Sequence, residues 1–104
     1  MFLDDQLLKE TKEADLTTEE GVQTLYNKLC RMCESYYKSK LNENTTNKVL
    51  KATLDRTFNL WDSFVNNLKK ESVEYVLLAD MLEENSFKVM MLKNPKVRQV
   101  YNSL

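Results

Sequence analysis

Glycine and proline occur only once each in this chain of 104 residues. These two residues terminate helices and form tight turns, so a chain that nearly lacks them has few places where it can reverse sharply. Hydrophobic residues make up 42% of the sequence, which is more than a disordered chain carries. The sequence therefore predicts an all-α fold, a small helical bundle that forms a single domain over residues 1–104.

The strongest helical periodicity lies in two segments separated by a short polar stretch. Apolar side chains recur every three or four residues over about 18–41 and again over about 46–70, which places each set on one helix face. Thr17 and Glu20 have the spacing of a capping box before the first segment, and residues 42–46 form a polar loop. A connection this short predicts that the two helices pack as a long antiparallel hairpin.

Shorter helices are predicted on both sides of the hairpin, one before it and two or three after it. They cover about residues 4–14, 73–84, 87–93 and 95–103. Asn94 followed by Pro95 is a start signal for the last of them. One alternative stays open, in which residues 73–78 and 87–92 pair as a β-hairpin. We favour helices, because the connection contains no Asn-Gly or Asp-Gly turn.

The apolar stripes also predict which side chains form the core. The stripe that includes Val73, Val76 and Met81 is broad enough to suggest that its helix is buried on two sides. The predicted core residues are Leu25, Leu29, Leu54, Phe58, Trp61, Phe64 and Leu77.

Charge is unevenly distributed along a chain whose net charge is only −1. Residues 1–20 contain seven acids and two lysines, whereas residues 87–104 contain four bases and no acid. Acids favour helix starts and bases favour helix ends, which explains part of this asymmetry. The two ends are also complementary, so they could meet within one molecule or join copies head-to-tail.

The residues that most often perform chemistry are scarce. The chain has no histidine, the side chain that most often acts as acid, base or metal ligand near neutral pH. Cys30 and Cys33 match C-x-x-C, but they lie inside a predicted helix rather than after a strand, as a redox motif would. Two cysteines cannot complete a four-ligand zinc site, although an ion bridging two copies fits the spacing. We expect no enzymatic activity, no cofactor and no metal, with Cys33 in the core and Cys30 at its edge.

The C-terminal segment is too apolar for a helix that packs on one core alone. Methionine adapts its shape and is frequent at protein-binding surfaces, and lysine and arginine can supply a polar rim around such a surface. The segment therefore predicts a partner-binding site. Its residues are Phe87, Met90, Met91, Lys93, Lys96, Arg98 and Tyr101.

These observations favour a non-catalytic protein–protein interaction module, an accessory or structural component of a larger assembly of like or unlike chains. Ten asparagines and three alanines are typical of an AT-rich coding sequence, as in some phages, so a phage assembly is one candidate. One alternative is a small regulatory or inhibitory protein that binds a host enzyme or transcription factor. A second is a small nucleic-acid-binding protein, which the sequence pI of about 5.5 disfavours.

No stretch approaches the roughly 20 apolar residues that a membrane-spanning helix needs. The first five residues include Asp4 and Asp5 and no base, unlike the start of a secretory signal. We therefore expect no membrane partner, and a location in the cytoplasm or in an assembly formed there, such as a virion.

Overall fold

The computed structural model describes residues 3–103, which form an all-α bundle. Its elements are α1 (Leu3–Glu13), α2 (Glu19–Ser39), α3 (Asn47–Glu71), a short 3-10 helix (Val73–Tyr75), α4 (Val76–Glu84), α5 (Phe87–Met91) and α6 (Pro95–Asn102). Between residues 3 and 103 there is no strand, so the alternative β-hairpin is wrong. The predicted all-α fold, with a long helical hairpin and shorter helices on both sides, is confirmed.

Hydroxyl and amide side chains cap most of these helices. Thr46 accepts a hydrogen bond from the backbone N–H of Val49 at the start of α3, and Asn94 accepts one from the N–H of Lys96 at the start of α6. The start of α2 differs from the predicted capping box, because Thr18 is the cap rather than Thr17. The Thr17 hydroxyl instead donates to the carboxylate of Asp15 at 2.5 Å, which fixes the connection before α2.

Every other element packs on α3. The α1 helix runs parallel to it, since the Ser63 hydroxyl lies 3.2 Å from the carboxylate of Asp4 near the start of α1 and Lys12 pairs with Glu71 near its end. The α2 helix runs antiparallel and brings the ring of Tyr26 against that of Trp61. After α3 the chain turns back, and α4, α5 and α6 follow α3 from its end towards its start.

The core centres on Trp61, which is 1% exposed. Its ring lies 6.0 Å from that of Phe64 and 6.4 Å from that of Phe87, and its Nε1 donates a hydrogen bond of 3.0 Å to the carbonyl of Leu82. Aromatic contacts of this kind add about 0.5–1.5 kcal/mol each beyond the area they bury. The structure confirms six predicted core residues: Leu25, Leu29, Leu54, Phe58, Trp61 and Phe64.

The seventh predicted core residue, Leu77, was placed wrongly, because its side chain is 83% exposed. The nine-residue α4 buries Ala79 and Leu82 against the rest of the bundle. Leu77 precedes them by two and five residues, which turns it towards the opposite side of the helix. The hydrogen bond from Trp61 to the Leu82 carbonyl holds α4 in this rotation.

Candidate docking surface

A group of apolar side chains stands exposed where α3 ends and α4 begins. Val73 is 85% exposed, Leu77 is 83% exposed and Val76 is 38% exposed. Isolated exposed apolar residues are ordinary on protein surfaces, but neighbouring ones mark sites of interaction. We refer to Val73, Val76 and Leu77 as the α4 ridge.

A groove runs beside the α4 ridge, between α4 and the start of α2. One part, of about 330 Å³, is lined by Leu77 and Leu78 together with Leu16, Val22 and Met81. A larger part, of about 660 Å³, is also lined by Leu16, Val22 and Met81. It extends past Tyr26 and Asn85 to Lys93. Ridge and groove together form one surface, apolar along its floor, which we call the α4 surface.

The single glycine of the chain positions one wall of the groove. A side-chain carbon at Gly21 would collide with the backbone carbonyl oxygen of Asp15 and would press on the Thr18 hydroxyl. The glycine thus lets the connection between α1 and α2 lie directly against the first turn of α2. Leu16 belongs to this connection and lines the groove. The close approach of Asp15 to Gly21 therefore determines the position of Leu16 beside α4.

Acidic groups surround the α4 surface. Residues 73–86 contain four carboxylates and no base. Glu83 pairs with Lys69 at 2.8 Å, whereas Glu74, Asp80 and Glu84 are exposed. Glu19 lines the groove from the side of α2. A partner that covers this surface would therefore meet apolar contacts, these carboxylates and the ammonium group of Lys93.

The structure divides the predicted partner-binding residues into two groups. Phe87 is fully buried beside Phe58 and Trp61, so it belongs to the core and is removed from the predicted site. Met90 and Met91 are half-buried and pack against the same core. Much of the apolar excess of this segment thus packs on the protein's own core, while Val89 stays exposed.

The basic members of the predicted site remain on the surface. Lys96 and Arg98 are exposed on α6, while Lys93 is exposed and lines the groove. The binding of a partner by these three basic residues stays a prediction.

Tyr101 is half-buried and already engaged within the chain. Its hydroxyl donates to the carboxylate of Asp55 at 2.6 Å, and this bond raises the pKa of Tyr101. The ammonium groups of Lys51 and Lys88 lie 5.2 and 5.6 Å from the centre of its ring. Tyr101 therefore attaches α6 to the first half of α3.

Sequence reasoning missed the α4 ridge, although a signal was present. Val73 and Leu77 align with Asp80 and Glu84 at successive spacings of four, three and four residues, which places all of them on one helix face. Carboxylates are almost never fully buried without partners. A face that carries both apolar and acidic residues is therefore a surface face.

The two cysteines of α2 are free thiols inside the bundle. Both are buried, and burial raises the pKa of the Cys30 thiol and raises that of Cys33 to about 12. Both thiols therefore stay protonated near neutral pH. Over residues 3–103 no three histidine, cysteine, aspartate or glutamate side chains are placed to hold a metal.

The oppositely charged ends of the chain do not pair with each other. Glu10 pairs with Lys28 at 2.7 Å, and Lys12 pairs with Glu71. In the described part of the chain no ion pair joins residues 3–20 to residues 87–103. The two ends nevertheless lie near each other, because Glu19 and Lys93 line the same groove.

No family model, curated protein or solved structure matches this chain. The helices within residues 3–103 include none that is long and apolar enough to cross a membrane.

Proposed function

We propose that this chain is a non-catalytic protein–protein interaction module, an accessory component of a larger assembly, and that it docks through the α4 surface. The observation that carries the proposal is the exposure of Val73 and Leu77 beside an apolar groove. Full burial of an aliphatic side chain of this size stabilises a complex by about 1.5–3 kcal/mol. A phage particle is one assembly compatible with the composition.

The chemistry of the surface supports binding rather than turnover. The groove is lined by apolar side chains of α4 and of the start of α2, and the carboxylates of Glu19 and Glu74 are part of the same lining. An apolar floor with a polar margin is the usual anatomy of a protein interface. Within residues 3–103 the other large apolar side chains that are exposed, Val49 and Val89, lie on other elements.

Site-specific photo-crosslinking tests this proposal in cells that express the chain from its own gene. A photoreactive side chain replaces Val73 in one variant and the exposed Asn59, in the middle of α3, in the control variant. We expect position 73 to give an adduct of discrete mass, identified by mass spectrometry, and position 59 to give none. Adding Leu77→Asp to the first variant should abolish the adduct, because it places a charge in the apolar contact.

Equal labelling at positions 73 and 59, or no adduct at either, would overturn the proposal. Both photoreactive positions and Leu77 are exposed, so the variants should keep the fold. Circular dichroism and thermal unfolding verify this in each case.

A further inference from the structure

We infer that the α4 surface binds one amphipathic α-helix of a different protein, about four turns long, which lies between α2 on one side and α4 and α5 on the other. This inference rests on the proposed function, since it states the chemistry of the partner that the same surface binds. It follows from the length of the groove, from the nature of its walls and from the order of the charges along it.

The groove of the α4 surface continues beyond its largest part. Tyr26 borders both that part and a third one of about 330 Å³, which Met90 of α5 lines from the other side. The α2 residues that line the two parts follow the helical repeat from Glu19 to Glu34, so they share one side of that helix. This stretch of α2 corresponds to about 22 Å, or four helical turns.

The walls of the groove are helices that both rest on α3. In the described part of the chain α2 and α4 each pack on α3, but they do not pack closely on each other. Partly exposed apolar side chains line the groove from both walls, Val22 and Tyr26 from α2 and Leu78 and Met81 from α4. A further helix packed between the walls would bury these side chains, as neighbouring helices of a bundle do.

Helical walls also decide the conformation of the occupant. Between their first and last turns, α2 and α4 bond their backbone N–H and C=O groups internally, so they offer no edge with which an extended segment could pair. A segment that enters an apolar groove must then satisfy its own backbone groups, and an α-helix does so. Recognition of an amphipathic helix in an apolar groove is a common mode of binding.

A second folded copy of this chain has no helix to place in the groove. Within residues 3–103 only α2 and α3 reach four turns, and both bury their apolar faces in their own core. The other helices have 11 residues or fewer. A different protein must therefore supply the occupant.

The charges along the groove change sign from one end to the other. Glu74 lines the part beside the α4 ridge, Glu19 and Lys93 line the middle part together, and Arg31 lines the third part. The carboxylate of Glu34 in the third part is already paired with a lysine at 2.8 Å. A complementary helix therefore carries a base near the α4 ridge and an acid near Arg31.

Photo-crosslinking from both ends of the groove tests this inference in cells that express the chain from its own gene. A photoreactive side chain replaces Leu77 in one variant and Glu34 in the other. Val22, which borders the same part as Leu77, precedes Glu34 by 12 residues, or about 18 Å along α2. Mass spectrometry should map both adducts to one segment of one partner, at positions about 12 residues apart.

The spacing of the adducts distinguishes a helix from the other occupants. An extended segment would place them only about five residues apart. That spacing, adducts on two unrelated segments, or adducts between copies of this chain would each overturn the inference. Thr24, exposed on α2 but outside this groove, is the control position, and a photoreactive side chain there should not label the same segment.

A charge reversal tests the order of the charges. Glu74→Lys should lower the yield of the adduct at position 77 by about fivefold, because it places like charges together at that end. Glu43→Lys, in the polar loop and outside the groove, is the matched control and should leave the yield unchanged. Equal yields in the two variants would contradict the charge order assigned to the helix.

The results separate this inference from the proposed function. An adduct at position 73 without a common segment at positions 77 and 34 overturns the helical occupant and leaves the proposed function standing. The absence of adducts at all three positions overturns both.

Discussion

The α3 and α4 helices carry apolar stripes of similar appearance, yet the bundle treats them differently. In α3 the stripe of Leu54, Phe58, Trp61, Phe64 and Leu68 is buried along its whole length. In α4 and the 3-10 helix before it, Ala79 and Leu82 are buried while Val73 and Leu77 are exposed. An apolar stripe therefore predicts a helix. How much of that stripe is buried depends on how many other helices pack against it.

The two helices differ in what surrounds them. All the other helices pack on α3, so each turn of its apolar face meets a partner. The α4 helix packs mainly on α3, and within residues 3–103 no helix covers Leu77 on its outer side. Apolar side chains therefore stabilise the fold along α3, whereas part of those on α4 stay exposed.

The largest expected effect concerns the buried apolar stripe of α3. Trp61→Ala should lower the free energy of unfolding by about 3–5 kcal/mol, because it removes a buried ring and the hydrogen bond to the Leu82 carbonyl. Chemical denaturation followed by circular dichroism measures the change. A loss below about 1 kcal/mol would contradict the position of Trp61 at the centre of the core.

A matched pair within α4 tests the contrast directly. Leu82→Ala should cost about 2–5 kcal/mol because Leu82 is fully buried, whereas Leu77→Ala should change stability by less than about 0.5 kcal/mol. The substitution is chemically the same in both variants, so only the side of the helix differs. Similar losses of stability in the two variants would show that α4 does not bury Leu82 and expose Leu77.

A third change probes the wall of the groove. Gly21→Ala should destabilise the chain by about 1–2 kcal/mol, since the added carbon collides with the Asp15 carbonyl and outweighs the higher helix propensity of alanine. Thr24→Ala, at an exposed position of the same helix, serves as control and should be neutral or slightly stabilising. If Gly21→Ala were instead more stable than the original chain, the close approach would be refuted.

The last prediction, about 1 kcal/mol for each pH unit, concerns a buried thiol. Burial raises the pKa of Cys33 from 9.0 to about 12. Above pH 9 the unfolded chain loses a proton that the folded chain keeps, so this contribution to stability is complete below pH 9 and is lost as the pH rises towards 12.

We expect the free energy of unfolding to fall by about 1 kcal/mol per pH unit in this window. Denaturation at several alkaline pH values measures the slope. Cys33→Ala should reduce the slope whatever its effect on stability at neutral pH. An unchanged slope in that variant would show that the Cys33 thiol ionises equally in both states.

Much of the fold could be predicted because its signals are local. The helical hairpin follows from two periodic segments and a short polar loop, and the start of α6 follows from Asn94 and Pro95, which act within one turn. The cap of α2 was misplaced by one residue, because Thr17 and Thr18 are chemically equivalent there. The choice between them was made by Asp15, which binds the Thr17 hydroxyl.

The candidate site was harder to predict because it depends on contacts between distant residues. The sequence predicts exposed apolar side chains in the segment after residue 86. Phe87 instead packs against the rings of Phe58 and Trp61 and is buried in the core. The exposed apolar surface lies instead on the preceding helix. The spacing of Val73, Leu77, Asp80 and Glu84 indicates a surface face on α4, but no local pattern shows that Phe87 packs against α3.

By itself, the sequence determined that this chain is helical, where its long helices lie and that it contains no histidine, because these properties depend on composition and on neighbours within a few residues. The tertiary structure decided which apolar residues remain exposed. That choice depends on how the helices share the surface of α3, and on the hydrogen bond between Trp61 and the Leu82 carbonyl, 21 residues apart, that fixes the rotation of α4.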